Sequence, residues 1–314
     1  MTTDAIRTHR LTKRFGERVA VDALDLAVPA GTVVGYLGPN GAGKTTTLKI
    51  IVGLVRPTSG SATVLGMDAT RDRDRVQRRL GYLPGDFTGY PGMTGQQLLR
   101  LLGSLRGGVD TGRVAELAQR FQLDLGRRIG TLSHGNRQKI GILQAFMHRP
   151  ELLVLDEPTA GLDPIMQREF LSLVRESAGE GATVLLSSHV LSEVAAVADR
   201  VAVIDEGRLR VARPVHELTS STQRRIELTF DAPVPTQDLI AAPGVVAVGT
   251  TGRTALVTVA GSTAELLRVA APYGISNVTS HEPDLADIFL GLYDESEASA
   301  HGHRVPQGVV GAAS

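Results

Sequence analysis

Eight consecutive residues, Gly38-Pro39-Asn40-Gly41-Ala42-Gly43-Lys44-Thr45, fit G-x-x-x-x-G-K-[ST] at every required position, between an apolar run and a helical pattern. Glycines let such a backbone fold into a nest of inward N–H groups, and the start of the following helix adds its dipole, so the loop suits phosphate oxygens. Lys44 can neutralise β and γ phosphates, the Thr45 hydroxyl suits Mg²⁺, and Thr46 follows in the same turn. Further on, Leu152-Leu153-Val154-Leu155-Asp156-Glu157 is an apolar run ending in two acids. A buried parallel strand delivers its last residue to the ligand crevice, where Asp156 can hold Mg²⁺ through water and Glu157 can act as general base toward an attacking water. Either string alone reads equally as a glycine-rich turn or a solvated acidic turn. Together, in this order, they point to triphosphate chemistry.

A sheet must hold these residues. Runs 32–37, 152–155 and 183–186 are short and apolar without a polar face, as buried parallel strands are. Helical patterns follow two of them, at 44–54 and 164–178, so the expected fold class is α/β, a sheet covered on both faces. Alternation over 19–28 predicts strands of a half-exposed antiparallel subdomain. Between 96 and 148 the pattern is helical without strands, at 96–105, 113–121 and 136–148, which predicts a helical insert over about 86–150. A polar stretch ends this first part at residue 217, and 218–223 reads as a linker. Strands at 225–230, 245–250, 255–259 and 276–280, with helices at 236–241, 263–271 and 285–292, predict a small α+β domain over 224–294. Its order is the βαββαβ of ferredoxin-like folds. Residues 295–314 read as a disordered tail.

The chain has 314 residues with 33 basic and 33 acidic side chains and no cysteine. Residues 1–217 hold 28 basic and 23 acidic groups and residues 218–314 hold 5 and 10, so the neutral total joins +5 to −5. The missing cysteines exclude a disulfide scaffold, a thiolate metal site and a thiol nucleophile. Neutral balance argues against a nucleic-acid coat, so no nucleic-acid partner is expected. With no run of 18 apolar residues and a polar N-terminus, the chain reads as soluble.

With these motifs placed, the first 217 residues resemble the ATP-binding subunit of an ABC transporter, built on a P-loop NTPase core. Leu132-Ser133-His134-Gly135-Asn136 resembles the family signature LSGGQ, with His134 for the first glycine and Asn136 for glutamine. A serine and a bare backbone at a helix start suit an anion, although a plain N-capped helix has the same residues. The resemblance implies that this phosphate belongs to ATP held by a second subunit in a head-to-tail homodimer. Ala160-Gly161-Leu162-Asp163 resembles the D-loop and places Asp163 at the same interface. His189 stands where the family has its γ-phosphate switch histidine, and Phe15 where an aromatic ring stacks on adenine. The plainer alternatives are a surface histidine and a core phenylalanine. The family's Q-loop glutamine falls in Tyr82-Leu83-Pro84-Gly85-Asp86, where Gly85 takes its place. Asp86 is the candidate substitute, through water, at Mg²⁺, and the departure bears on coupling to the membrane partner.

The segment Glu282-Pro283-Asp284-Leu285-Ala286-Asp287-Ile288-Phe289-Leu290 resembles the E-P-x-L-x-D-x-F-L ending of ABC-2 export-type subunits. Gly81-Tyr82-Leu83-Pro84 and Asn136-Arg137-Gln138-Lys139 suit that group as well. The resemblance implies a peripheral ATPase at the cytoplasmic face of the cell membrane, paired with a separate permease that exports drugs, antibiotics or lipids. The apolar positions Leu285, Ile288, Phe289 and Leu292 are equally suited to packing on the accessory sheet. A soluble translation or repair ABC protein would usually carry two cassettes or a long insertion. A regulatory nucleotide module would lack a general base, and Glu157 speaks against it.

Overall fold

The computed structural model describes residues 4–215, 217 and 224–281. The expected linker, the helix at 285–292, the export-type ending and the tail lie outside the described residues. The chain divides into two compact units, Met1–Val215 and His216–Ser314.

The first unit contains two sheets. One has the order β2 (Arg18–Leu24), β1 (Asp4–Phe15), β5 (Ser59–Val64), β6 (Met67–Asp68), with β3 (Ala27–Pro29) also on β1, all antiparallel. The other has the order β11 (Arg208–Pro214), β10 (Arg200–Asp205), β4 (Val33–Leu37), β9 (Thr183–Ser188), β8 (Leu152–Asp156), β7 (Leu80–Leu83). It is parallel except for β11. Every residue of β4, β8 and β9 is buried, which is why their sequences lack a polar face. Each Leu or Val so placed contributes about 1.5–3 kcal/mol relative to exposure.

One apolar cluster joins the two sheets, running from Ile6, Leu11 and Val28 to Val34, Leu48, Val154 and Leu185. Within it the Tyr36 hydroxyl donates to Thr47 Oγ1 at 3.2 Å, and Thr47 Oγ1 donates to the Gly43 carbonyl at 3.0 Å. This chain of bonds fastens the first turn of α1 (Lys44–Ile51) to β4. The helix pattern at 44–54 overshoots, because Gly53 takes the left-handed conformation (φ +74) that ends the helix. The alternating stretch 19–28 is two strands, interrupted where Leu26 N–H turns to Thr8 Oγ1.

The insert consists of α3 (Gly95–Ser104), α4 (Thr111–Arg120) and α5 (His134–Phe146), capped by Thr94, Asp110 and Ser133. Arg120 on α4 pairs with Glu169 and, at 2.7 Å, with Glu176 of α6 (Pro164–Gly179), tying the insert to the sheet layer. Sequence patterning does not single out β1, β5, β6, α2 (Arg73–Arg79), β7, α7 (Leu191–Val197), β10 or β11. Gly35 admits α7 against β4: a Cβ there would stand 2.0 Å from Val194 Cγ1.

In the second unit the elements are β12 (Arg224–Phe230), α8 (Thr236–Ala241), β13 (Val245–Thr251), β14 (Thr254–Val259), α9 (Ala264–Ala270) and β15 (Ile275–His281). The sheet order is β13-β14-β12-β15 with every neighbour antiparallel. Inward residues Ile226, Leu228, Phe230, Val257 and Val259 pack with Leu239 and Leu266 of the two helices.

His148, just past α5, is held neutral. Its Nε2–H donates to the Leu80 carbonyl at 3.2 Å, and its Nδ1 is buried without a partner. Burial, then the charge of Arg106, push its pKa from 6.5 down to about 4. The unfolded chain therefore binds the extra proton between these values, and folded stability falls as pH is lowered from about 6.5 toward 4. Thermal unfolding between pH 4.5 and 7 should show a shallower pH slope for His148→Gln than for the wild type. An unchanged slope would assign the loss to other groups.

Candidate nucleotide site

The glycine loop leaves β4 at Leu37 and enters α1 at Lys44. Its glycines are required by close approach as well as by conformation. A Cβ on Gly38 would lie 2.3 Å from the Ile204 carbonyl oxygen, and one on Gly43, at φ +105, would lie 2.3 Å from that of Ala20. Pro39, Asn40, Gly41 and Ala42 complete the cradle, closed by Ala42 N–H donating to the Pro39 carbonyl at 3.2 Å. Lys44 is buried, and its Nζ donates to the carbonyls of Gly38 at 2.6 Å and Pro39 at 3.3 Å. Thr45 is exposed and Thr46 half-buried in the first turn of α1.

The acids arrive on β8, in register with β9: Asp156 pairs with Ser187. Ser187 Oγ donates to Asp156 Oδ1 at 2.6 Å, and the Glu157 N–H donates to Ser187 Oγ at 3.1 Å and to its carbonyl at 3.2 Å. Glu157 has φ +46, a left-handed conformation that costs a residue with a Cβ about 1–3 kcal/mol and needs the surroundings to hold it. Its Oε1 lies 3.5 Å from Lys44 Nζ and its Oε2 2.8 Å from His189 Nδ1. Lys44, Glu157 and His189 are thus one polar cluster, with Asp156 joined to it through Ser187.

The other oxygen of Asp156 faces Gly85, whose Cβ would stand 3.5 Å from Oδ2. Tyr82, on β7, feels the same carboxylate: burial, then the Asp156 charge, push its phenol above the ordinary range. Asp86 is exposed, and its carboxylate has no partner among the described residues. Phe15 is 53% exposed, with Lys13 Nζ 4.9 Å from its ring centroid, so it is no core residue.

A second cluster forms around the start of α5. Ser133 Oγ accepts from the Asn136 N–H at 3.3 Å. The His134 ring covers Gly161, where a Cβ would lie 2.4 Å from His134 Cδ2, and a Cβ on Gly135 would meet the Gly161 carbonyl oxygen at 2.5 Å. Asp163 caps α6, accepting from the N–H groups of Ile165 and Met166 at 3.0 Å each. Sequence reasoning does not assign two residues of consequence here, Ser187 and Gln138. The available signal for Ser187 is a hydroxyl closing an otherwise apolar strand opposite an acid. Gln138 gives none.

A phosphate cradle after a buried parallel strand, with acids on a neighbouring strand end, defines a P-loop nucleoside triphosphatase. Residues 21–160 match the ABC transporter family. The chain is 42% identical over 225 residues to the daunorubicin/doxorubicin resistance ATP-binding protein DrrA of Streptomyces peucetius, covering 70% of this chain and 68% of that protein. It is 36% identical over 225 residues to the bacitracin transport ATP-binding protein BcrA of Bacillus licheniformis, covering 71% and 74%. Among solved structures, an ATP-binding subunit of an ABC transporter matches with TM-score 0.62 and 27% identity, over 68% of this chain and 91% of that one. The fold is shared with a dimeric cassette bound to ADP and Pi, at TM-score 0.62 and 23% identity, over 67% and 98%. The chain belongs to the ATP-binding subunits of ABC transporters and is an ATPase of that family.

Gly43→Ala tests the cradle. A left-handed φ and a contact at 2.3 Å predict a stability loss of at least about 1–3 kcal/mol by urea unfolding. A loss of ATP affinity of about tenfold or more should accompany it. Unchanged affinity would show that the loop does not cradle phosphate.

Proposed function

We propose that this chain hydrolyses ATP to drive export of a small molecule, drug, antibiotic or lipid-like, through a separate membrane permease of the ABC-2 type. The observation that carries the reading is the Glu157 carboxylate, set between Lys44 at 3.5 Å and His189 at 2.8 Å at the mouth of the loop. Lys44 neutralises β and γ phosphates within the backbone cradle of Gly38 to Thr46. Glu157 accepts the proton of the attacking water, and His189 orients Glu157 and contacts the γ-phosphate. Thr45 through its hydroxyl, Asp156 through the oxygen facing Gly85, and Asp86 through water would hold Mg²⁺, which would supply charge neutralisation on the phosphates. Phe15 stacks on adenine with its exposed ring.

Two copies act head to tail, Ser133, His134, Gly135, Asn136 and Asp163 of each completing the partner's ATP site. Names of relatives support the export reading: a daunorubicin/doxorubicin resistance protein and a bacitracin transport protein. Among the described residues no helix is long and apolar enough to cross a membrane; the place proposed for the subunit is the cytoplasmic face of the cell membrane, held there by its permease. The domain plan follows: cassette 1–217 with its helical insert, linker 218–223, a ferredoxin-like accessory domain 224–294 and a tail 295–314. The strand order of the second unit supports the ferredoxin-like reading.

Glu157→Gln keeps shape and removes the base. Steady-state ATPase should fall about a hundredfold or more, and size-exclusion chromatography should show an ATP-dependent dimer. Turnover at the wild-type rate would reject Glu157 as the base.

A further inference from the structure

Gln138 lies on α5 outside the phosphate chemistry, yet it is 1% exposed and its carboxamide is spent on the turn that carries Glu157. Its Nε2 donates to the Pro158 carbonyl at 3.1 Å and reaches the Glu157 carbonyl at 3.5 Å, while its Oε1 is buried without a partner. A side chain buried at that cost holds something. What needs holding is Glu157, whose φ of +46 is not one a glutamate keeps by itself. Ser187 clamps the amide on the N-terminal side of Glu157, and Gln138 clamps the carbonyls on its C-terminal side. The first clamp comes from the sheet and the second from α5.

Position 138 is four residues beyond His134, so both lie on one helix face. That face touches the segment 157–161 along its length: His134 and Gly135 against Gly161, Gln138 against Pro158 and Glu157. The start of α5, where Ser133 stands, and the turn of Glu157 are therefore one packed unit.

We propose that Gln138 is a positioning residue for ATP hydrolysis: it holds the Glu157 turn so that the carboxylate stays between Lys44 and His189, and it binds that turn to the helix that begins at Ser133. The proposal rests on Glu157 acting as general base. Displacement of a base weakens the chemical step and leaves phosphate binding intact, so the effect falls on kcat.

The test uses the full chain with Gln138→Met, which keeps length and apolar bulk and removes the donor. Expected is a fall in kcat of at least about tenfold, with KM for ATP and affinity for Mg²⁺-AMP-PNP within about twofold of the wild type. A kcat within twofold, or an AMP-PNP affinity that falls in parallel with kcat, overturns the proposal. Should Gln138→Met lower folded stability, Gln138→Asn keeps the amide but not the reach, and the same kcat loss is expected of it; a wild-type kcat overturns the proposal equally. Glu157→Gln separates the two failures. If it retains turnover, the base reading fails; if it abolishes turnover while Gln138→Met leaves kcat intact, only the positioning role fails.

Discussion

Asp156 is 1% exposed, and a carboxylate buried that far needs a hydrogen-bond donor beside it. Ser187 supplies the bond, at 2.6 Å, and it can do so because β8 and β9 pair in the register that sets Asp156 beside Ser187. The same serine receives the Glu157 N–H, so one side chain orients both acids. On its other edge β9 pairs with β4, Ser188 beside Leu37, which fixes where the glycine loop begins. His189 follows β9 directly. The loop, the acids and the histidine are thus all referenced to one central strand, and a slip of that strand by one residue would turn Ser187 to the opposite face and separate them.

Burial explains which parts of this arrangement are legible in sequence. Strands 33–37, 152–156 and 183–188 are buried at every position, so composition alone marks them. The helices of the insert start at side-chain caps with apolar periodicity behind them. β1 is different: Asp-Ala-Ile-Arg-Thr-His-Arg-Leu-Thr-Lys-Arg-Phe carries exposed basic residues, a left-handed Arg10 and register shifts, so its alternation is broken. It is held as a strand by pairing with β2 and β3, which follow it, and with β5, a partner some fifty residues away that no local pattern reveals. β7 is too short to show a period, and α2 buries only Val76.

The candidate site divides along the same line. Lys44, Asp156 and Glu157 follow from motif and context, because a phosphate nest and a strand end are local objects. Ser187 and Gln138 act through contacts 31 and 19 or 20 residues distant in the chain, so their roles depend on register and packing. The left-handed backbone at Glu157 is likewise invisible in the string, since glutamate is a poor sequence marker for positive φ.

Gly85 shows how a departure can be legible while its consequence is not. Its place beside the Asp156 carboxylate depends on β7 pairing with β8, Leu83 beside Leu155, which carries the chain after β7 toward the end of β8. There a Cβ would meet the Asp156 carbonyl oxygen at 3.3 Å and Oδ2 at 3.5 Å, so a longer side chain would have to displace its neighbours by a few tenths of an ångström. A bare Cα leaves Asp156 Oδ2 open on that side, and the Tyr82 hydroxyl is buried nearby without a protein partner. One glycine thus has two effects beside Asp156: no Cβ presses on its carbonyl oxygen or Oδ2, and the position itself offers that carboxylate no side-chain partner.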